Sequence, residues 1–228
     1  SYLRDVVKTD VAVAKTGVKF VHAAAHDNFD IGVYFEANGH GTILFGKKFY
    51  DMISDAESKL RGAAGGEDRG NVAWRRLRAL PGLVNQAVGD ALSDLLLVDA
   101  VLYLRGWTIE KWDGLYEDMP SKQQKVRVKD RSLIMTNDDE TRALSPPHLQ
   151  PALDAAMLSL ARNESVSEGM NPPPRCFVRP SGTEDAVRIY AEASTQDDAS
   201  SLAAEAAALV HQICGGVGDL PTSARSRL

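Results

Sequence analysis

The chain has 228 residues, 44% of them hydrophobic and 25% charged, which are the proportions of a globular protein able to bury a core. Its formal net charge of -5 argues against a general nucleic-acid binder, though a phosphate site needs only a few local donors. The sequence contains no run of about 18 apolar residues and no recognisable signal peptide, so no membrane span is expected.

Two cysteines, Cys176 and Cys214, are too few for a disulfide framework and read as small buried thiols in a reduced, intracellular setting. The chain opens on Ser1-Tyr2-Leu3-Arg4 without Met, which reads as a fragment or a processed product. Val11 to Ala14 reads as a brief strand ended by Lys15-Thr16-Gly17. Ile31 to Glu36 and Thr42 to Phe45 are β-prone and flank Ala37-Asn38-Gly39-His40-Gly41, the pattern of a hairpin. Lys47 to Leu60 carries apolar residues at helical spacing, and Gly62 to Gly70 reads as a flexible loop. Asp90 to Arg105 is the clearest helix of the first half, capped by Asp90 and ended by Gly106. Its leucines and valines wrap most of the circumference, so deep burial is expected.

Beyond Trp112 the character changes. Tyr116 to Lys122 reads as a linker, and Gln124 to Lys129 as a strand. Ser145-Pro146-Pro147 leads into a helix through Arg162. Arg175 to Arg179 and Ala186 to Glu192 read as strands around a tight loop, and Thr195 opens a last helix with Asp198 as capping partner. The expected fold class is therefore α/β plus α+β, the second half having its helices on one face of an antiparallel-type sheet.

The sharpest chemical signal is Arg179-Pro180-Ser181-Gly182-Thr183-Glu184. A strand end delivers a guanidinium able to make paired bonds to phosphate oxygens, and the hydroxyls of Ser181 and Thr183 add donors. Gly182 lets backbone N–H groups approach an anion. Arg188 points to the polar side of the next strand and could support the same anion. From the residues alone, an ordinary hairpin with a polar loop stays equally open.

The second signal is Glu36, Asn38 and His40 on a glycine-bearing loop, a carboxylate, an amide and an imidazole suited to sugar hydroxyls. A polar hairpin tip is the plainer alternative. His22 and His26 have the spacing of zinc ligands on a helix, but no glutamate or third ligand accompanies them. Asp90, Asp94 and Asp99 read as helix-start acids more readily than as a cation site.

Arg-Pro-Ser-Gly-Thr-Glu followed by Val-Arg-Ile-Tyr-Ala-Glu-Ala resembles the phosphate-binding loop of the α-D-phosphohexomutase superfamily. Phe35-Glu36-Ala37-Asn38-Gly39-His40 resembles that superfamily's sugar loop in its acetylglucosamine branch. Thr16-Gly17-Val18-Lys19, Gly89-Asp90-Ala91 and Trp112-Asp113-Gly114-Leu115-Tyr116 are similar to that branch as well. The resemblance implies the C-terminal portion, with a sugar-binding domain over 1–112 like the third domain and a phosphate-binding domain over 113–228 like the fourth. It assigns sugar contacts to Glu36, Asn38, Gly39, His40 and Lys19. Phosphate contacts fall to Arg179, Ser181, Gly182, Thr183 and Arg188.

By that resemblance the activity is isomerase chemistry, interconverting N-acetylglucosamine 6-phosphate and 1-phosphate through a phosphoserine and a bisphosphate, in UDP-N-acetylglucosamine synthesis. His40 lies near the reacting end with no acid or base duty assigned. The family's phosphoserine loop and its Mg²⁺ loop do not occur in this sequence, so Mg²⁺ is expected on a loop missing from it, with no metal ligand and no catalytic serine in this chain. The chain alone is then expected to be inactive, its partners a phosphosugar and N-terminal domains of the same polypeptide, with no nucleic acid or membrane. Alternatives are a non-catalytic phosphosugar-binding fragment or pseudoenzyme, a mutase for another hexose phosphate, and a protein-interaction domain.

Overall fold

The computed structural model describes residues 2–36, 38–62, 69–163 and 173–219. The chain divides into two units, Ser1–Tyr116 and Glu117–Leu228.

In the first unit a short helix, α1 (Tyr2–Asp5), precedes α2 (Val18–Asn28), strands β1 (Ile31–Phe35) and β2 (Gly41–Phe45), and helices α3 (Lys47–Gly62), α4 (Arg69–Leu83), α5 (Ala91–Arg105) and α6 (Ile109–Asp113). The strands form an antiparallel pair in which Tyr34 faces Thr42 and Val33 faces Ile43. Side chains alternate across such a pair, so each face takes its own partner. Tyr34 and Leu44 bury against Ala25 and Val21 of α2. On the other face Phe45 meets Phe49 and Val84, with Ile43, Ile53, Leu80 and Leu97 packed beside them. The outer edge of β2 is satisfied by the segment after α4: Thr42 Oγ1 donates to the Asn85 carbonyl (2.8 Å) and Phe45 N–H to Gln86 Oε1 (3.0 Å).

Two expectations change here, and one helix is added. Val11 to Ala14 is not a strand: no described segment pairs with it, and it lies half-buried to exposed, with the Val11 carbonyl accepting from Arg4 (3.3 Å). The segment Arg69–Leu83, without a clear sequence signal, is helix α4, anchored to α3 by Trp74 Nε1 donating to the Ile53 carbonyl (3.1 Å); the loop expected over 62–70 lies mostly outside the described residues. Helix α5 is not deeply buried. It begins and ends as its sequence predicts, with Asp90 accepting from Leu92 and Ser93 N–H and left-handed Gly106 closing it. Yet Leu92, Leu95, Leu96 and Tyr103, on one side at helical spacing, are 72, 63, 56 and 85% exposed. The described residues pack only its opposite side, where Leu97 joins the Phe45–Phe49 cluster.

In the second unit β3 (Ser121–Arg127) is followed by a 3-10 turn (Arg131–Leu133), the short strands β4 (Met135–Thr136) and β5 (Ala143–Ser145), helix α7 (Leu149–Asn163), strands β6 (Arg175–Pro180) and β7 (Ala186–Glu192), and helix α8 (Gln196–Ile213). The main sheet is antiparallel in the order β3-β7-β6. Strand β3 begins earlier than its hydrophobic alternation suggests, because its polar first residues still pair with the end of β7.

One face of this sheet carries Val126, Val178, Val187, Ile189 and Ala191 into a single core with α7 and α8. Five alanines of α8 are buried, and their small side chains let the helix axis lie close to the sheet. Thr195 caps α8, its hydroxyl accepting from Asp198 N–H (3.1 Å) and donating to the Asp198 carboxylate (2.6 Å). Cys176 and Cys214 are free and buried in this core; burial pushes their thiols up to about 12 and about 11. The observed class is helices packed on antiparallel sheets.

Candidate phosphate and sugar loops

The phosphate-binding candidates sit on the face of the second sheet opposite its core. Arg179 of β6 and Arg188 of β7 are directly opposed in the ladder, and Lys125 of β3 opposes Arg188 on its other side. Side-chain alternation puts all three on the outer face, since Val178, Val187, Ile189 and Val126 face the core. Like charges directly opposed in a ladder repel. Two of the three are offset: Lys125 Nζ reaches both Glu184 carboxylate oxygens at 3.2 Å, and Arg179 Nε lies 3.7 Å from Glu140 Oε2. Arg188 is exposed and has no ion-pair partner among the described residues.

The loop joining β6 to β7 turns tightly. Ser181 N–H donates to the Ala186 carbonyl (2.8 Å), as does Ala186 N–H to the Glu184 carbonyl (2.8 Å). Arg131 donates to that same Glu184 carbonyl (3.1 Å), pinning the loop to the 3-10 turn. Ser181 is buried, its oxygen accepting from Thr183 N–H at 3.5 Å, whereas Gly182 and Thr183 are exposed. A side chain added at Gly182 would meet nothing within 4 Å. The fold itself therefore does not require glycine there, and the space beside it is open.

Deeper on the same outer face, Glu192 accepts three bonds from Arg175 and one from the Tyr190 hydroxyl (2.7 Å). Burial alone would raise the Glu192 carboxyl, but the Arg175 guanidinium and the Tyr190 hydroxyl outweigh it and hold it below the usual carboxylate range. Glu140 is the group that sequence reasoning missed. It sits in an acidic turn far from the loop along the chain, and only the β4–β5 turn carries it to Arg179.

The sugar-binding candidates share one end of the first unit. Glu36 N–H donates to the His40 carbonyl (2.8 Å) and Gly39 N–H to the Glu36 carbonyl (2.9 Å), closing the loop. Gly39 takes φ +86°, a conformation costly for residues with a side chain. Asn38 Nδ2 donates to Glu36 Oε2 (3.4 Å) and Asn38 Oδ1 accepts from His40 N–H (2.9 Å). Glu36 and Asn38 thus meet side by side, while His40 enters this network through its backbone. Lys19 lies in the first turn of α2, its ammonium 4.8 Å from the Phe20 ring centroid. Helix α2 runs antiparallel to β1, and His22 Nδ1 pairs with the Tyr34 hydroxyl at 2.9 Å, so the start of α2 is beside the end of β1 that leads into the loop. The segment before α5 supports the loop from below, where a side chain at Gly89 would come within 2.9 Å of the Gly41 backbone.

His26 pairs with Asp27 (2.8 Å), and among the described residues no group of three or more His, Cys, Asp or Glu could hold a metal ion. The described residues therefore do not fit a Mg²⁺ site. Among the described residues, no helix is long and apolar enough to cross a membrane.

The family model described as phosphoacetylglucosamine mutase AMG1, domain III, matches residues 1–107, and that of the phosphoglucomutase/phosphomannomutase C-terminal domain matches residues 124–209. The chain is 48% identical over 206 residues to the phosphoacetylglucosamine mutase of Arabidopsis thaliana, covering 90% of this chain and 35% of that protein. It is 46% identical over 220 residues to that of Homo sapiens, covering 96% of this chain and 37% of that protein. It therefore spans about a third of the length of these curated relatives. Among solved structures, the Aspergillus fumigatus N-acetylphosphoglucosamine mutase in complex with GlcNAc-6P and magnesium superposes with a TM-score of 0.80 at 39% identity, over 93% of this chain and 36% of that one. With a mutase third domain followed by a phosphohexomutase C-terminal domain, the chain belongs to the phosphoacetylglucosamine mutase family of the α-D-phosphohexomutase superfamily.

Proposed function

We propose that this chain is the substrate-holding portion of a phosphoacetylglucosamine mutase, an intramolecular phosphotransferase that interconverts N-acetylglucosamine 6-phosphate and 1-phosphate in the cytoplasm. Arg179, Ser181, Gly182, Thr183 and Arg188 hold the phosphate that is not being transferred. Glu36, Asn38, Gly39, His40 and Lys19 meet the sugar. The observation that carries this reading is the pair of opposed guanidiniums, Arg179 and Arg188, at the root of an open, hydroxyl-bearing loop. Two like charges abreast are costly alone and become favourable when a dianion bridges them. The GlcNAc-6P complex of the Aspergillus fumigatus relative supports the same substrate class.

Phosphoryl transfer also needs a nucleophile and a cation at the reacting end, and we place both in other parts of a longer polypeptide. The uncovered apolar side of α5 supports that reading, because such a surface normally packs against a partner. The chain alone then holds substrate without turning it over.

Calorimetry with N-acetylglucosamine 6-phosphate tests the proposal, with glucose 6-phosphate as control. Weak binding that is lost in Arg179→Ala is the expected result. Equal binding by wild type and Arg179→Ala would remove the phosphate loop from the account.

A further inference from the structure

The loop over 180–185 is held at both ends and open between them. Where it leaves β6, Ser181 N–H donates to the Ala186 carbonyl (2.8 Å). Where it enters β7, three groups from β3 and the segment after it take hold. Val128 N–H donates to the Asp185 carbonyl (3.1 Å), and Lys125 Nζ reaches both Glu184 carboxylate oxygens at 3.2 Å. Arg131 Nη1 donates to the Glu184 carbonyl (3.1 Å), which also accepts from Ala186 N–H (2.8 Å).

Between these ends Gly182 and Thr183 are exposed. Thr183 N–H makes one long bond, to Ser181 Oγ (3.5 Å). Among the described residues, the N–H groups of Gly182, Glu184 and Asp185 have no hydrogen-bond partner. Loop N–H groups receive an anion well only when their peptide planes are already set, because ordering them on binding costs entropy. The Glu184 carbonyl and the Asp185 N–H belong to one planar peptide unit, so a bond that fixes the first fixes the second.

Arg131 supplies such a bond from a fixed base. It opens the 3-10 turn Arg131–Leu133, which Asp130 caps by accepting from Ser132 N–H (2.8 Å) and Ser132 Oγ (2.6 Å). Ile134, whose N–H donates to the Arg131 carbonyl (3.1 Å), is buried in the core of the second unit and anchors the turn. The plainer alternative is charge alone, since a cation near the loop raises the local positive potential wherever it points. We propose that Arg131 is a positioning residue of the phosphate loop, fixing the Glu184–Asp185 peptide and with it the open Gly182–Thr183 span. The proposal rests on the phosphate reading given above.

Nitrogen-15 relaxation of the full chain, without ligand, reads the order of the loop backbone. In Arg131→Met, which keeps the stem and loses donor and charge, order parameters at Gly182 and Thr183 fall from rigid values of about 0.85 toward about 0.6, while those of β7 and α8 hold. Unchanged order at Gly182 and Thr183 overturns the proposal. Titration with inorganic phosphate, at about 0.1 M and about 1 M sodium chloride, separates position from charge. Arg131→Met binds at least about threefold more weakly at both salt concentrations. A deficit that disappears at the higher salt is the charge outcome and overturns the proposal. Arg131→Lys keeps the charge on a shorter stem and serves where Arg131→Met does not fold; full affinity on a loosened loop overturns the positioning role. Equal phosphate binding by wild type and Arg179→Ala overturns the phosphate reading itself, whereas the relaxation result, taken without ligand, reports on the Arg131 contact alone.

Discussion

Two glycines at the loops have opposite reasons to be glycine. At Gly89 the fold leaves no room: a Cβ would lie 2.9 Å from the backbone N and O of Gly41, neither of which can swing away. Gly89→Ala therefore displaces the base of the sugar loop, and crowding of this kind costs about 1–3 kcal/mol. At Gly182 a Cβ meets nothing within 4 Å, so Gly182→Ala changes stability by less than about 0.5 kcal/mol. If the exposed loop backbone receives phosphate, the added methyl stands in the ligand's path and weakens phosphate binding. Urea midpoints and phosphate titrations of both variants check the contrast. A Gly182→Ala chain that binds phosphate as well as wild type would show that the anion does not approach there.

At the scale of elements, the outer face of the second sheet behaves as a polar layer with its own pH dependence. Glu192 is held below the usual carboxylate range in the folded chain, with burial opposing and Arg175 and Tyr190 prevailing. A carboxyl so depressed contributes stability above its unfolded value, about 4.3, and loses that contribution as pH falls through the lower folded value. Urea unfolding of Glu192→Gln should therefore lose less stability than wild type on acidification below about pH 4. Parallel loss in both chains would mean that other carboxyls govern the acid side. Strands β6 and β7, helices α5 and α8 and their caps were legible in the sequence, because alternation, Asp90, Gly106 and Thr195 are local signals. Helix α4 was not, since arginines interrupt its apolar pattern. The exposure of α5 was not legible either, because an apolar helix records that it seeks cover without recording which segment provides it. At the phosphate loop the residue types were legible, whereas the opposition of Arg179 and Arg188 needed the register. Glu140 needed the whole second unit.

At the scale of the molecule, the two units differ in how much core each carries. The second has one continuous cluster that includes Leu149, Leu153, Val178, Ile189, Leu202 and Val210, all nearly inaccessible. Among its described residues the first has two small clusters, around Tyr34 and around Phe49, and leaves Ile31, Val33 and Phe35 of β1 about half exposed or more, together with one side of α5. Stability follows buried apolar surface, and a unit with little of it sits close to its entropic cost. Residues 117–219 produced alone should therefore fold cooperatively, with a single urea transition followed by far-UV dichroism. In the whole chain the first unit should unfold at lower urea than the second. Amide hydrogen exchange assigns the two steps, with protection in α8 and β7 persisting after that in α2 and β1 is lost. Simultaneous loss across both units would mean that the second core depends on the first. Burying the open α5 surface should raise only the earlier transition, and polar replacement of Leu95 should leave both transitions in place while removing that gain.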